Sequence, residues 1–231
     1  HIDTARFYGN EQSVGDGLRE SGVARQDIFL TTKLWNDDVR KRRAKEAFAE
    51  SLAALQTDYV DLYLIHWPVD GFEQAWADME GLYAAGKIKS IGVSNFNQSH
   101  LERLAAVAKV RPAINQIESH PYFNNQALIN ACFRQGIAVE VWSPLGGNGS
   151  NLLKDEVLGE LARKYGRSTA QIVLRWDIQR NVVVIPKSAH RERIVSNMAL
   201  FDFELCEEDM RAIDALDKNQ RVGPDPEHVD F

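Results

Sequence analysis

Cysteine is nearly absent: the 231 residues hold two, Cys132 and Cys206, too far apart to match any metal-ligand spacing. That count excludes a disulfide-stapled scaffold, and both thiols are expected to be reduced and buried in a cytoplasmic protein. No apolar run approaches the roughly 18 residues a membrane-spanning helix needs. A basic excess is lacking as well. Lys and Arg number 27 against 33 Asp and Glu, a formal charge of −6, which argues against nucleic acid or an anionic membrane as main partner. His66 has no second His or Cys at ligand spacing, and His100, His120, His190 and His228 are scattered, so no metal is expected. Finally, the glycine-rich turn of an open dinucleotide-binding sheet is missing. Gly146-Gly147-Asn148-Gly149 follows an apolar run but lacks the G-x-G-x-x-G spacing.

What is present is strict alternation. Strand-like runs at 1–5, 27–33, 59–66, 89–95, 113–119, 137–144 and 182–187 alternate with amphipathic helical stretches. Helices are expected at 11–20, 38–55, 71–85, 99–107, 125–134, 154–165, 169–179, 191–197 and 207–216. A loop falls at 145–150 and a surface tail at 217–231. Parallel strands joined by helical crossovers follow from that order, because each crossover needs a helix. Seven strands do not close a comfortable barrel, whereas eight do. The chain opens in strand chemistry with no preceding turn or cap. The expectation is therefore one α/β domain over 1–231, a (β/α)8 TIM barrel with strand 1 and helix 1 missing.

The stretch from Val60 to Pro68 carries the strongest hint of chemistry. Alternate side chains of a strand point to opposite faces, so Val60, Leu62, Leu64 and His66 share one face. A titratable ring thus closes an apolar row at a carboxyl end, where parallel α/β proteins place their sites. Asp3 shares a strand face with His1 and Ala5, Tyr8 sits in the loop beyond that strand, and Lys33 ends the second strand. A buried lysine is costly unless paired, and Asp3 is its natural partner. An ammonium beside a phenol stabilises phenolate, which suits Tyr8 to protonate a carbonyl oxygen while the carbon takes a hydride. Singly, each residue has an ordinary structural alternative; the joint placement points to carbonyl reduction.

The motifs His1-Ile2-Asp3-Thr4-Ala5 with Tyr8-Gly9-Asn10-Glu11, Thr31-Thr32-Lys33-Leu34-Trp35, Asp61 through Pro68, Ile91-Gly92-Val93-Ser94-Asn95-Phe96, Asn115-Gln116-Ile117-Glu118, Trp142-Ser143-Pro144-Leu145 and Ile185-Pro186-Lys187-Ser188 together resemble the aldo-keto reductases. The likeness runs nearly the whole chain in order. It leans toward the bacterial branch that includes 2,5-diketo-D-gluconate reductases, through Lys33-Leu34-Trp35-Asn36 and the tail around Arg221-Val222-Gly223. The resemblance implies a catalytic tetrad of Asp3, Tyr8, Lys33 and His66. It implies nicotinamide contacts from Ser94, Asn95 and Gln116, stacking by Trp142, and Ser143 and Leu145 along the pyrophosphate. Lys187, Ser188, Arg193 and Asn197 would take the adenosine end, and Lys with Arg suits a 2′-phosphate, hence NADPH. Ser196 stands where the family often has Glu before the Asn. Trp35 and Trp67 would wall the substrate pocket.

The expected protein is a monomeric, NADPH-dependent reductase of small aldehydes, ketones and keto-sugars. Two alternatives stay open: an NADPH-binding barrel module with little turnover, and a phosphate-binding barrel enzyme using Lys187 and Ser188.

Overall fold

The computed structural model describes residues 1–147 and 149–231. Asn148, within the expected loop at 145–150, lies outside the described residues. Two compact units are distinguished: His1–Asn115 with Pro226–Phe231, and Gln116–Asp225.

In the first unit the strands are β1 (Ile2–Asp3), β2 (Leu30–Leu34), β3 (Val60–Ile65) and β4 (Ile88–Ser94). They pair in parallel in sequence order, with Asp3 opposite Thr31, Lys33 opposite Leu64 and Leu64 opposite Gly92. Every residue of β3 is buried; Val60, Leu62, Leu64 and Ile65 each contribute about 1.5–3 kcal/mol on leaving water, and Asp61 is paired with Arg25 and Lys89. The helices are α1 (Glu11–Glu20), α2 (Asn36–Arg40), α3 (Ala44–Leu55), α4 (Phe72–Ala84) and α5 (Gln98–Ala105). A Cβ on Gly15 would lie 2.7 Å from the Leu55 carbonyl, so α1 approaches the end of α3 more closely than any side chain permits.

Three expectations are corrected here. A barrel lacking its strand 1 and helix 1 was expected; the structure has a first strand and a first helix, β1 and α1, and they are the runs read at 1–5 and 11–20. Hydrogen bonds from Ile2 N to Phe29 O (2.8 Å) and Thr4 N to Thr31 O (2.9 Å) suffice to make the opening residues a strand. The single helix expected over 38–55 is two, because Arg42 takes φ +54° between α2 and α3, a left-handed conformation that interrupts a right-handed helix. The tail is not wholly superficial. Pro226 is buried, and Glu227 accepts hydrogen bonds from Asn97 Nδ2 (2.8 Å) and Ser99 Oγ (3.2 Å).

Strand β5 (Ile114–Glu118) straddles the division in the chain. The second unit continues with α6 (Gln126–Arg134), β6 (Ala138–Trp142), α7 (Glu156–Tyr165), α8 (Thr169–Gln179), β7 (Val183–Val184), α9 (Arg191–Met198) and α10 (Glu207–Asp214). Strands β6 and β7 are parallel, Glu140 opposite Val183. Helix α7 starts where the Asp155 side chain accepts the Val157 N–H (3.0 Å), and α8 where Ser168 and Gln171 form a capping box. Leu158, Leu161, Ile172, Trp176, Leu205 and Ile213 interlock as a core. Cys132 is buried as expected, but Cys206 is exposed: it occupies the N-cap of α10, with Sγ donating to Asp209 Oδ2 at 3.1 Å.

Every strand is followed by at least one helix before the next, and every described strand pairing is parallel, which is the α/β class. Among the described residues no helix is long and apolar enough to cross a membrane.

Candidate active site

The first unit brings Asp3, Tyr8, Lys33 and His66 together. Asp3 ends β1, and the chain then turns through a 3-10 segment, Arg6–Tyr8, closed by Gly9 at φ +64°. Lys33 lies in β2 and is 0% exposed. Its ammonium donates to Asp3 Oδ1 (2.5 Å), to the Thr4 carbonyl (3.0 Å) and, at the outer limit of a hydrogen bond, to the Tyr8 hydroxyl (3.5 Å). Two N–H groups are therefore firmly engaged and one is loosely held.

His66 follows β3 directly, its N–H on Leu34 O (3.1 Å) and its carbonyl accepting Asn95 Nδ2 (3.0 Å). Burial, and secondarily the charge of Lys33, push its imidazole well below its ordinary value, so the ring is neutral at pH 7. Nδ1 is buried without a hydrogen-bond partner among the described residues. The ring sits edge-on to Tyr8, centroids 5.8 Å apart at 85°. A neutral imidazole carries one N–H, so this group can donate to a carbonyl oxygen without bringing a charge.

Aromatic walls surround the group. Trp35 is 5.2 Å from His66, and Trp67 is 6.4 Å away and nearly parallel to it. Two more rings were not foreseen. Phe7 stacks on Trp35 at 4.0 Å, and Phe231 lies parallel to Trp35 at 6.0 Å and edge-on to Trp67 at 5.5 Å. Asn36 Nδ2 (3.0 Å) and Arg40 (2.9 Å) hold the Phe231 carbonyl. Strand alternation says nothing about a turn residue or one nearly 200 positions away; only the aromatic identity of Phe7, beside Tyr8, could have flagged it.

The residues expected at a cofactor are distributed over both units. In the first, Ser94 and Asn95 are buried, Asn95 adopts φ +64°, and its Nδ2 also lies 3.1 Å from Ser94 Oγ. In the second, Gln116 is buried and donates to Glu140 Oε1. Trp142 ends β6 partly exposed, followed by Ser143 at φ +51° and half-buried Leu145. A Cβ on Gly223 would meet the Trp142 ring at 2.3 Å, while Glu118 accepts the Val222 and Gly223 N–H groups (2.5 and 3.2 Å). Lys187 and Ser188 follow β7, and Arg193 and Asn197 lie in α9. Lys187, Arg191 and Arg193 are exposed and form no ion pair among the described residues, whereas Asn197 is buried.

Taken unit by unit, these residue types suit a nicotinamide dinucleotide phosphate: in the first, amide and hydroxyl groups for a carboxamide; in the second, a further amide, a flat ring for stacking, and exposed cations with a hydroxyl for phosphate. No cluster of metal-ligating side chains occurs among the described residues. A separate cavity of about 500 Å³, lined by Leu18, Arg19, Val23, Arg25, Leu55 and Tyr59, contains none of these groups. Its arginines are committed, Arg19 to Gln56 and Asp16 and Arg25 to Asp61.

Residues 1–218 match the sequence profile of the aldo/keto reductase family. Glyoxal reductase of Bacillus subtilis (strain 168) is 50% identical over 231 residues, covering 100% of this chain and 83% of that protein. Among solved structures, the aldo-keto reductase MGS-M4 from a Medee basin deep-sea metagenome library superposes with a TM-score of 0.98 at 43% identity, over 100% of this chain and 86% of that one. The Bombyx mori aldo-keto reductase in complex with NADP does so with a TM-score of 0.91 at 41% identity, over 97% and 80%.

Proposed function

This chain belongs to the aldo/keto reductase family, and from that premise we propose that it reduces small aldehydes and ketones to alcohols with NADPH, Tyr8 supplying the proton. Carbonyl reduction by hydride transfer is the chemistry of its family. The observation that carries the assignment of roles is the three-way contact of the buried Lys33 ammonium with Asp3, Thr4 O and Tyr8 OH.

In this reading the substrate carbonyl oxygen faces the Tyr8 hydroxyl and His66. Neutral His66 donates a hydrogen bond that orients the oxygen. When bound, NADPH supplies the hydride that reaches the carbonyl carbon. Tyr8 gives its proton to the oxygen as the carbon is reduced, so one hydride and one proton complete the alcohol. Lys33 steadies the resulting phenolate and Asp3 holds Lys33 in place. Being 49% exposed, Tyr8 recovers its proton from solvent.

For the cofactor, Ser94, Asn95 and Gln116 would hold the carboxamide and Trp142 the ring. Ser143 and Leu145 would flank the pyrophosphate, and Lys187, Ser188, Arg193 and Asn197 the phosphorylated adenosine. Trp35 and Trp67 would enclose the substrate. One barrel domain of the (β/α)8 type over 1–231, of which seven strands are described, is part of the proposal, as are a monomeric state and a cytoplasmic location. So is the finer kinship with the 2,5-diketo-D-gluconate reductase branch, with keto-sugars among the substrates.

Replacing Tyr8 by Phe is the test. Reduction of a small aldehyde, followed as loss of nicotinamide absorbance, should fall about 10²–10⁴-fold while NADPH affinity by fluorescence stays the same. Unchanged turnover would remove Tyr8 from its role. A wild-type chain that binds NADPH and reduces nothing would favour a binding module instead.

A further inference from the structure

The turn that carries Tyr8 has little of its own to fix it. Two backbone hydrogen bonds close it, Tyr8 N to Ala5 O (3.0 Å) and Gly9 N to Arg6 O (3.2 Å), and both Phe7 and Tyr8 are exposed. A single 3-10 turn has poor hydrogen-bond geometry and little rigidity. Its position must therefore be set by side chains that reach beyond it.

Two consecutive residues do so. Phe7 lies flat on Trp35. Arg6 places Nε 2.9 Å from Asp38 Oδ2 and its outer nitrogen on Glu50 Oε2. Arg43 meets the same two carboxylates from the other side, at 3.2 Å to Asp38 Oδ1 and 2.8 Å to Glu50 Oε1. Two guanidinium groups and two carboxylates thus alternate around a closed ring. Its Asp38 corner is only 6% exposed, so that link escapes most of the screening that weakens surface pairs. Trp35 and Asp38 both lie just downstream of Lys33. The grip therefore ties the turn bearing the phenol to the segment that leaves the strand bearing the ammonium.

We infer that Arg6 is a positioning residue: by bridging Asp38 and Glu50 it holds the Tyr8 hydroxyl within reach of Lys33. The inference rests on the reading of Tyr8 as proton donor. At 3.5 Å the contact between Lys33 and Tyr8 has no slack; a drift of a fraction of an ångström outward abolishes it. The Arg6 guanidinium is taken up by Asp38 and Glu50, so its effect falls on the proton-transfer step.

The test is a double-mutant cycle of Arg6→Ala and Tyr8→Phe in the full chain with NADPH and a small aldehyde. Arg6→Ala should lower the single-turnover rate about 10–100-fold and enlarge the solvent deuterium isotope effect, with NADPH affinity unchanged. Arg6→Lys, whose compact ammonium cannot bridge two carboxylates as a planar fork does, should restore part of the rate. In the Tyr8→Phe background Arg6→Ala should change nothing further. Additive losses, an unaltered rate, or a loss that only follows the folded fraction would each overturn the inference. If Arg6→Ala does not fold, Glu50→Gln opens the exposed side of the ring and should lower the rate in the same direction; no change there also overturns it. Should Tyr8→Phe itself keep full turnover, the proton-donor reading has failed, which the Arg6 variants alone would not reveal.

Discussion

Lys33 in the first unit and Arg180 in the second are both almost wholly withdrawn from water, at 0% and 6% side-chain exposure, and each is paired with an aspartate. They differ in what remains after pairing. Arg180 uses all five of its N–H groups on fixed protein atoms: Gln126 Oε1 twice, Asn124 O, Ser119 Oγ and Asp177 Oδ1, at 2.5 to 3.3 Å. It also covers the Trp176 ring at 3.9 Å. Nothing is left over for a ligand. Lys33 engages two groups tightly and reaches a half-exposed hydroxyl with its third N–H only at 3.5 Å. A buried charge whose donors are all satisfied by its own fold stabilises a loop; one with a weakly held donor aimed at a solvent-accessible group can act on a reaction.

The contrast is broken most directly at Lys33. Lys33→Met should reduce aldehyde turnover per folded molecule about 10²–10⁴-fold, the folded fraction being read by circular dichroism. Arg180→Ala should leave turnover per folded molecule nearly intact but lower stability by about 3–5 kcal/mol, because Asp177 is left buried and unpaired. A urea midpoint equal to that of the parent would mean the second pair is not structural after all. Arg180→Lys should recover only part of the loss, three donors replacing five.

The smallest effects concern pH. Burial raises Asp177 to about 7, against the opposing pull of Arg180. A folded-state value above the unfolded 3.8 gives stability that is full below about pH 4 and lost as pH rises through about 7. Asp177→Asn should flatten that fall. His66 has the opposite sign. Its lowered folded value gives stability that is full above 6.5 and lost as the medium is acidified below it, and His66→Asn should flatten that loss. Urea midpoints between pH 4 and 8 for parent and both variants separate the two slopes; matching curves for all three would refute both assignments.

Much of the first unit was legible in the sequence because strands obey a period of two. The parallel register sets Lys33 opposite Leu64, so the residues closing the apolar rows meet as the alternation implies. Helix α1 was legible to the residue, its apolar stripe ending at Ser21-Gly22. The break between α2 and α3 was not, since Arg42 takes a left-handed conformation without the glycine or asparagine that normally signals one. Phe231 was beyond reach for a different reason. Its position depends on two hydrogen bonds to its backbone carbonyl from Asn36 and Arg40, and no local pattern encodes a partner so distant in the chain. The ring around Arg6 was hidden likewise, because charges on the faces of α2 and α3 look like an ordinary solvated surface until the turn docks among them.

Gly223 has an unexceptional backbone, so only the indole of Trp142 forbids a side chain there. The two positions draw on one shared volume. A lineage or a designer wishing to place bulk at 223 must first shrink the residue at 142, since the reverse order passes through an intermediate in which two groups claim the same space. The route between such variants therefore has a direction, set by a distance of 2.3 Å.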